Sequence, residues 1–398
     1  MGQSEVTGND QMVMAEFGPL TIVRLNRPSV INSLNLTMIR LIRDFLLKAL
    51  ALEECRSVLL TGTGDRGFCA GGDIRALWEQ VREGRYEEAE RFFREEYALD
   101  LLIHEYPKPV VVIADGITMG GGIGLAAGAD IVIATERTRM AMPETRIGFF
   151  PDVGATGWLY AKCPQGYPAF LGLTGYEMKG GETVRVGMAT HLIPSGMMEI
   201  VTEIMRNYRV LLARGKDSAL SALALLLDPY RMKEVPPNQV LDSWVAEHFD
   251  RRGTLEELLG TLKVCRWGHD YCAEFLLTLS ERSPTALKVT HALLMHNRNR
   301  PLREVFDSEL KAASFIIRQH DYLKGVRARV IDRDDAPRWK PDRLAEVGEL
   351  PTFDPYKLNP PSPLMTQGGQ GYEVLFTAFV FGQDRTYIAA AVHGKRGQ

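Results

Sequence analysis

Apolar and polar positions along the chain follow two periods in turn. Val110–Ala114 and Ile131–Ala134 are unbroken apolar runs of strand length, which predict buried strands. Leu20–Arg24 alternates and stops at the turn Asn26-Arg27-Pro28, and Ser57–Leu60 reads as a further short strand. Asn35–Ala51 instead places Met38, Leu41, Ile42, Phe45, Leu46 and Leu50 at helical spacing. Helices are also predicted from Ile74 to about Arg82, capped by Asp73, and over Tyr86–Glu105. The recurring order is strand, glycine-rich turn, helix, an α/β pattern.

From about Lys216 the period becomes helical and strand signals fade. Thr254-Leu-Glu-Glu257 is a capping box, Ser283-Pro284 sets a cap before a proline at the first helical position, and Leu302–Gln319 is amphipathic. Pro351–Pro363 holds five prolines, a composition that predicts an extended wrap or linker. The chain is 398 residues long, enough for two or three domains. The expected division is a core over residues 12–205, a helical region over 211–343 and an extended tail over 344–398.

Composition changes this picture little. Hydrophobic residues at 45% and charged residues at 24% are ordinary globular values. A net charge of −3 offers no electrostatic attraction to nucleic acid or to a membrane surface, and no apolar run of about 18 residues predicts a transmembrane helix. The start, MGQSEVTGND, has neither an apolar signal core nor the arginines of a transit peptide, so a cytoplasmic location is expected. Cys55, Cys69, Cys163, Cys265 and Cys272 show no CxxC or metal-ligand spacing. An odd, scattered set without pairing suits a reducing compartment.

Candidate chemistry concentrates between Gly62 and Gly154. Gly62-x-Gly64-x-x-Gly67 follows a strand, but a dinucleotide site needs its last glycine in the first helical turn, and five residues intervene before Asp73. Two other glycine turns, around Gly72 and around the run Gly120-Gly121-Gly122, each lead into a helix. They can aim two N–H groups at one oxygen, the minimum for an oxyanion hole, or can serve only close strand–helix packing. Pro143-Glu144 and Pro151-Asp152 place two carboxylates eight residues apart, each behind a stiffening proline. They suit general acid–base or nucleophilic work, or else a turn cap and a surface acid. No GxSxG elbow is present, and Cys69 reads better as a packed thiol than as a nucleophile.

Three segments together, FCAGGDIR (68–75), GITMGGGIGL (116–125) and MPETRIGFFPDVG (142–154), resemble the signatures of the crotonase superfamily, and most of all its 3-hydroxyisobutyryl-CoA hydrolase branch. FFREEY (92–97), SPTALKVT (283–290) and GVRARVIDRDDAPRW (325–339) are similar to further segments of that branch, and the likeness spans roughly Met12 to Arg343. The resemblance implies an α/β, crotonase-like spiral of ββα turns with a helical C-terminal region. It implies that the N–H groups of Gly72 and Gly121 hold the thioester carbonyl, that Glu144 and Asp152 are the catalytic acids, and that Glu96 lines the substrate pocket. Where hydratases of the superfamily begin a pair of glutamates, this chain has Gly124, which favours hydrolysis over hydration. In two places the chain departs from the pattern. Ala155-Thr156 replaces a glycine run, an expected narrowing of the pocket, and Ser29 replaces a lysine often seen after the Asn-Arg-Pro turn. The expected activity is hydrolysis of a 3-hydroxyacyl-CoA with no metal or redox cofactor, CoA being part of the substrate. A homo-oligomer is compatible with the resemblance. The alternatives are enoyl-CoA hydratase or isomerase chemistry, and a non-catalytic CoA-binding assembly protein.

Overall fold

The computed structural model describes residues 12–207, 215–233, 235–250 and 252–353, and in the tail the strand residues 364–365, 372–380 and 386–394. Strands β1 (Val13–Glu16), β2 (Leu20–Leu25) and β3 (Ser57–Gly62) are followed by β4 (Gly67–Cys69), β5 (Val110–Ala114) and β6 (Ile117–Met119). Then come β7 (Ile131–Ala134), β8 (Arg139–Ala141), β9 (Met178–Lys179) and β10 (His191–Leu192). They form two sheets, of order β1-β2-β3-β5-β7-β10 and β4-β6-β8-β9. The larger is parallel from β2 onward, and the smaller is parallel through β4, β6 and β8.

From β3 to β8 each turn of the chain adds one strand to each sheet before its helix, whereas β1 and β2 both join the larger sheet. Helix α1 (Leu36–Ala51) follows β2, α2 (Ile74–Arg82) and α3 (Tyr86–His104) follow β3 and β4, and α4 (Gly121–Ala127) follows β5 and β6. The sequence predicts only one strand per turn. The second, β4 or β6, is three residues long and sits within a glycine-rich loop, too short for a period of two to show. Gly67 opens β4, not a helix, and a Cβ there would lie 2.5 Å from the backbone of Ile117. Gly62 and Gly67 therefore serve close strand packing, and the last glycine of the motif does not enter a helix.

The unbroken apolar run of β5 has a physical cause. Val110, Val112 and Ala114 face the main core, while Val111 and Ile113 face a second core under α8 (Met198–Asn207) and α9 (Lys216–Leu227). Successive strand residues point to opposite faces, and here both faces are covered.

Helices α5 (Ala155–Lys162), α6 (Tyr167–Thr174) and α7 (Gly181–Arg185) precede α8. The helical region continues as α10 (Gln239–Phe249), α11 (Leu255–Lys263), α12 (His269–Ser280), α13 (Pro284–Asn297), α14 (Leu302–Ile316) and α15 (His320–Val326). The expected caps form: Asp73 accepts from Ala76, Ser283 from Ala286, and Thr254 and Glu257 make a full capping box. Helix α14 packs on α3 and α15 on α2, so one apolar cluster runs from Val13 to Phe353. Among the described residues no helix is long and apolar enough to cross a membrane.

The reading of the cysteines is corrected. Cys265 and Cys272 are joined by a disulfide, with Cα atoms 6.4 Å apart, where no pairing is expected. The turn between α11 and α12, with Gly268 at φ +67°, folds back and brings together two cysteines whose spacing matches no familiar motif. His248 places a ring nitrogen within 4.8 Å of both sulfurs. Within the stretch expected as an extended tail, β11 (Leu364–Met365), β12 (Tyr372–Val380) and β13 (Thr386–Gly394) pair antiparallel. Most of the proline-rich stretch, residues 354–363, lies outside the described residues.

Candidate active site

The two glycine turns are neighbours in space. Gly71, at φ +96°, comes so close to the second turn that a Cβ on it would lie 3.0 Å from the Met119 carbonyl and 3.3 Å from the Gly121 nitrogen. The flanking N–H groups are taken: that of Gly71 by Cys69 Sγ and that of Asp73 by the Leu34 carbonyl. Gly72 between them lines the pocket. Gly121 is the first residue of α4, a position whose N–H has no intrahelical acceptor, and it lines the same pocket. The placement suits two donors aimed at one oxygen, with the start of α4 adding positive potential.

Three carboxylates face these turns. A Cβ on Gly120 would lie 2.9 Å from Glu144 Oε1, and one on Gly121 would collide with Glu96 Oε1, so the two acids flank the second glycine turn. Glycine at both positions is the condition for the acids to come this close. Asp152 reaches the same pocket, and its Oδ2 accepts a 2.8 Å hydrogen bond from Tyr97 Oη. The structure thus gathers Gly72, Glu96, Gly121, Glu144 and Asp152 around one cavity of about 270 Å³. That size, at the small end for ligand pockets, suits a short acyl group. Phe92, Phe93, Phe149 and Tyr322 supply its apolar wall.

The site is held at an electrostatic cost. Glu96, Glu144 and Asp152 are all nearly inaccessible to solvent. Burial pushes the Glu144 acid well above the usual carboxylate range, and the charge of Asp152 adds to this. Glu96 is raised likewise, by burial first and then by Asp152, Asp100 and Glu144. Burial raises Asp152 to about 7, against the stabilising hydrogen bond from Tyr97. Among the described residues, Glu144 Oε2 and Glu96 Oε1 have no hydrogen-bond partner. Glu95, the neighbour of Glu96, points the other way and is bound through both oxygens by Arg40 at 2.6 and 2.7 Å. Unpartnered carboxyls with raised pKa, converging on a cavity beside two N–H donors, are a functional constellation.

Residues invisible to motif reading complete the site. Val153 takes φ +53°, a strained value for a β-branched residue, in the turn that aims Asp152. Glu309, from α14 and 155 positions downstream of Gly154, holds that turn. Its carboxylate accepts from Gly154 N at 2.6 Å, Thr156 N at 3.0 Å and Thr156 Oγ1 at 2.6 Å. Burial raises the Glu309 acid to about 8, and those hydrogen bonds act the other way. Thr156 also accepts from Asn297 at 2.8 Å and does not line the pocket, so the Ala155-Thr156 departure braces the site from behind and does not narrow it. Glu309→Ala leaves three buried donors unsatisfied, and urea unfolding is expected to show a loss of about 3 kcal/mol or more. Asp100 is a further acid that motifs miss. It is fully buried, with both oxygens unpartnered among the described residues, and Oδ2 lies 2.9 Å from where a Cβ on Gly124 would be. Cys69 proves a core thiol, raised by burial to about 12.

Comparison with known proteins agrees with this geometry. Residues 20–352 match the family model described as enoyl-CoA hydratase/isomerase. The chain belongs to the enoyl-CoA hydratase/isomerase family. Among curated members, it is 38% identical over 345 residues to a Danio rerio protein named 3-hydroxyisobutyryl-CoA hydrolase, mitochondrial, covering 85% of this chain and 87% of that one. A Homo sapiens protein of the same name is 36% identical over 346 residues, covering 85% and 86%. Among solved structures of the family, a carnitinyl-CoA dehydratase from Mycobacterium thermoresistibile superposes with TM-score 0.75 at 31% identity, covering 85% of this chain and 94% of that one. An enoyl-CoA hydratase from Rhodobacter sphaeroides gives 0.74 at 30%, covering 85% and 95%. The crotonase-like fold is therefore shown. The expected cytoplasmic location is overturned, because the curated relatives are named mitochondrial. Net charge and core chemistry carry no compartment address, and residues 1–11 lie outside the described part of the chain.

Proposed function

We propose that this chain hydrolyses 3-hydroxyisobutyryl-CoA to 3-hydroxyisobutyrate and CoA, a step of valine catabolism, in the mitochondrion. The observation that carries the reading is the convergence of Glu144 and Asp152 on the paired glycine turns, in a chain 36–38% identical to vertebrate 3-hydroxyisobutyryl-CoA hydrolases. The thioester carbonyl lies between Gly72 and Gly121, whose N–H groups stabilise the charge that builds on oxygen as the carbon becomes tetrahedral. Glu144 either attacks that carbon, forming a transient anhydride that water then opens, or takes a proton from an attacking water. In both routes the C–S bond breaks, the thiolate leaves as CoA, and one water is consumed. Asp152 is placed by Tyr97 to accept the substrate 3-hydroxyl or to move a proton. Asp152, raised by burial to about 7, is poised to take up and release a proton near the working pH. The chemistry draws on the chain's own residues and water.

Release of free thiol from a panel of acyl-CoAs tests the reading. Thiol is expected from 3-hydroxyisobutyryl-CoA faster than from isobutyryl-CoA. Hydration of crotonyl-CoA without thiol release would replace hydrolase by hydratase, and binding without turnover would leave an assembly protein.

A further inference from the structure

Among the described residues, one cluster of metal-ligating side chains stands apart from the active cavity: His248, Cys265 and Cys272. One donor atom from each lies within 4.8 Å of the other two. His248 comes from the last turn of α10, Cys265 from the turn after α11, and Cys272 from the first turn of α12. His248 and Cys272 are buried and Cys265 is half-buried. Trp244, fully buried, holds the group together. Its ring packs on that of His248 with centroids 5.1 Å apart, and its Nε1–H donates to Cys272 Sγ at 3.3 Å. A Cβ on Gly268 would lie 2.7 Å from Trp244 Cδ1, so the turn between the cysteines is seated on the same indole.

A disulfide alone does not account for these surroundings. It joins residues seven positions apart, and so restricts the unfolded chain less than a long-range bond does. It has no use for an imidazole beside it. Cys265 Sγ lies 2.9 Å from the Trp267 carbonyl oxygen, an acceptor that a thiol S–H can use and a disulfide sulfur cannot. Two thiolates and an imidazole are, by contrast, a soft donor set that takes Zn²⁺ in a tetrahedral site and discriminates against Mg²⁺ and Ca²⁺, which prefer oxygen. Two thiolates on one zinc stand about 3.8 Å apart, given Zn–S bonds of about 2.3 Å at tetrahedral angles. That separation falls inside the span of the cluster, so side-chain rotation suffices once the S–S bond opens.

We propose that His248, Cys265 and Cys272 form a zinc site in the reduced chain, and that the disulfide is its oxidised, metal-free state. Two molecules of a thiol reductant such as glutathione supply two electrons and two protons. The S–S bond breaks, two protein thiols form, and the reductant leaves as its own disulfide. Zn²⁺ then displaces both thiol protons to water and bonds the two sulfurs and a neutral ring nitrogen of His248, with water in the fourth position. Oxidised glutathione reverses the exchange and releases the metal. Cys265 is the sulfur a reductant reaches, because Cys272 is covered. None of the three residues lines the active cavity, so the proposal stands apart from the acyl-CoA reading.

The test uses the full chain, either reduced and stripped of metal with a chelator or oxidised with glutathione disulfide. Zinc uptake is read by competition with a chromophoric chelator, and the absorption of the cobalt-substituted chain reports thiolate ligation. The reduced chain is expected to take up one zinc and the oxidised chain none. Zinc should also protect two of the five cysteines from alkylation. No uptake by the reduced chain, or equal uptake by both forms, would overturn the proposal. His248→Gln in the reduced chain is expected to lower zinc affinity by about 100-fold or more, at or beyond the cost of losing a group that only orients a ligand. Unchanged affinity in that variant would remove the imidazole and leave a plain disulfide. Cys163→Ser, outside the cluster, should bind zinc as the wild type does, and a loss there would place the metal elsewhere and overturn the assignment. The reduced and oxidised forms are one polypeptide, so their comparison decides the proposal even where a variant fails to fold.

Discussion

Glu144→Gln is expected to lower thioester hydrolysis by at least about 10²-fold, the usual scale for loss of a general base or more. Glutamine keeps the volume beside Gly120 and removes the group that attacks or deprotonates, so folding should be spared. The carboxylate is buried with Oε2 unpartnered, and losing its charge relieves the fold. Asp152→Asn is expected to cut turnover too, with a larger effect on 3-hydroxylated substrates. The two losses should not add in the double variant, because groups acting on one transition state work as a unit. The pH profile supplies an independent check. Asp152 is raised to about 7 and must be ionised to accept a proton, so kcat/KM of the wild type should climb with pH through about 7. That limb should vanish in Asp152→Asn. Stability carries the opposite sign. Between the unfolded value near 4 and the folded value the native state binds more protons, so this group's contribution falls as pH rises. Asp152→Asn should therefore raise Tm at pH 8 more than at pH 4. Wild-type hydrolysis in Glu144→Gln would remove the mechanism, and an Asp152 defect equal on hydroxylated and plain substrates would remove only the hydroxyl contact.

Removing the Gly121 donor should cost about 10²–10³ in turnover. Proline is the natural probe, since it has no N–H and is tolerated at the first helical position. Here the ring carbon would collide with Glu96 Oε1, so the single variant confounds donor loss with displacement of an acid. The informative comparison is Gly121→Pro/Glu96→Ala against Glu96→Ala alone, both read by single-turnover thiol release. A second check is circular dichroism, which should show α4 retained. If the double variant turns over as fast as Glu96→Ala alone, the Gly121 N–H is not an oxyanion donor.

The crowding of Glu96 against Gly121 illustrates the divide between what motifs reveal and what folding adds. FFREEY and GGG are both legible along the chain, but that one carboxylate oxygen abuts the other's Cα needs coordinates. The same holds for Gly124. Its missing side chain reads as a lost hydratase acid, and the structure shows the space occupied by Asp100 and Val153, from α3 and from the strained turn.

By itself the sequence determined the local elements. Caps, apolar periods and glycine turns depend on neighbours a few residues apart, and so Asp73, Thr254 and Ser283 cap where their spacing predicts. Contiguous motifs likewise carry the family and the five site residues that gather at one cavity. Only the tertiary structure decided what depends on distant approach. It paired Cys265 with Cys272 and placed β4 and β6 in a second sheet. It brought Glu309 from α14 to brace the turn of Asp152, and set Arg329 and Asp335 over a pocket built mainly by residues some 180 to 260 positions earlier in the chain. The reason is physical. A cap or a turn is satisfied within its own few residues, whereas a buried carboxyl, thiol or guanidinium takes its partners and its pKa from whatever the completed fold packs around it.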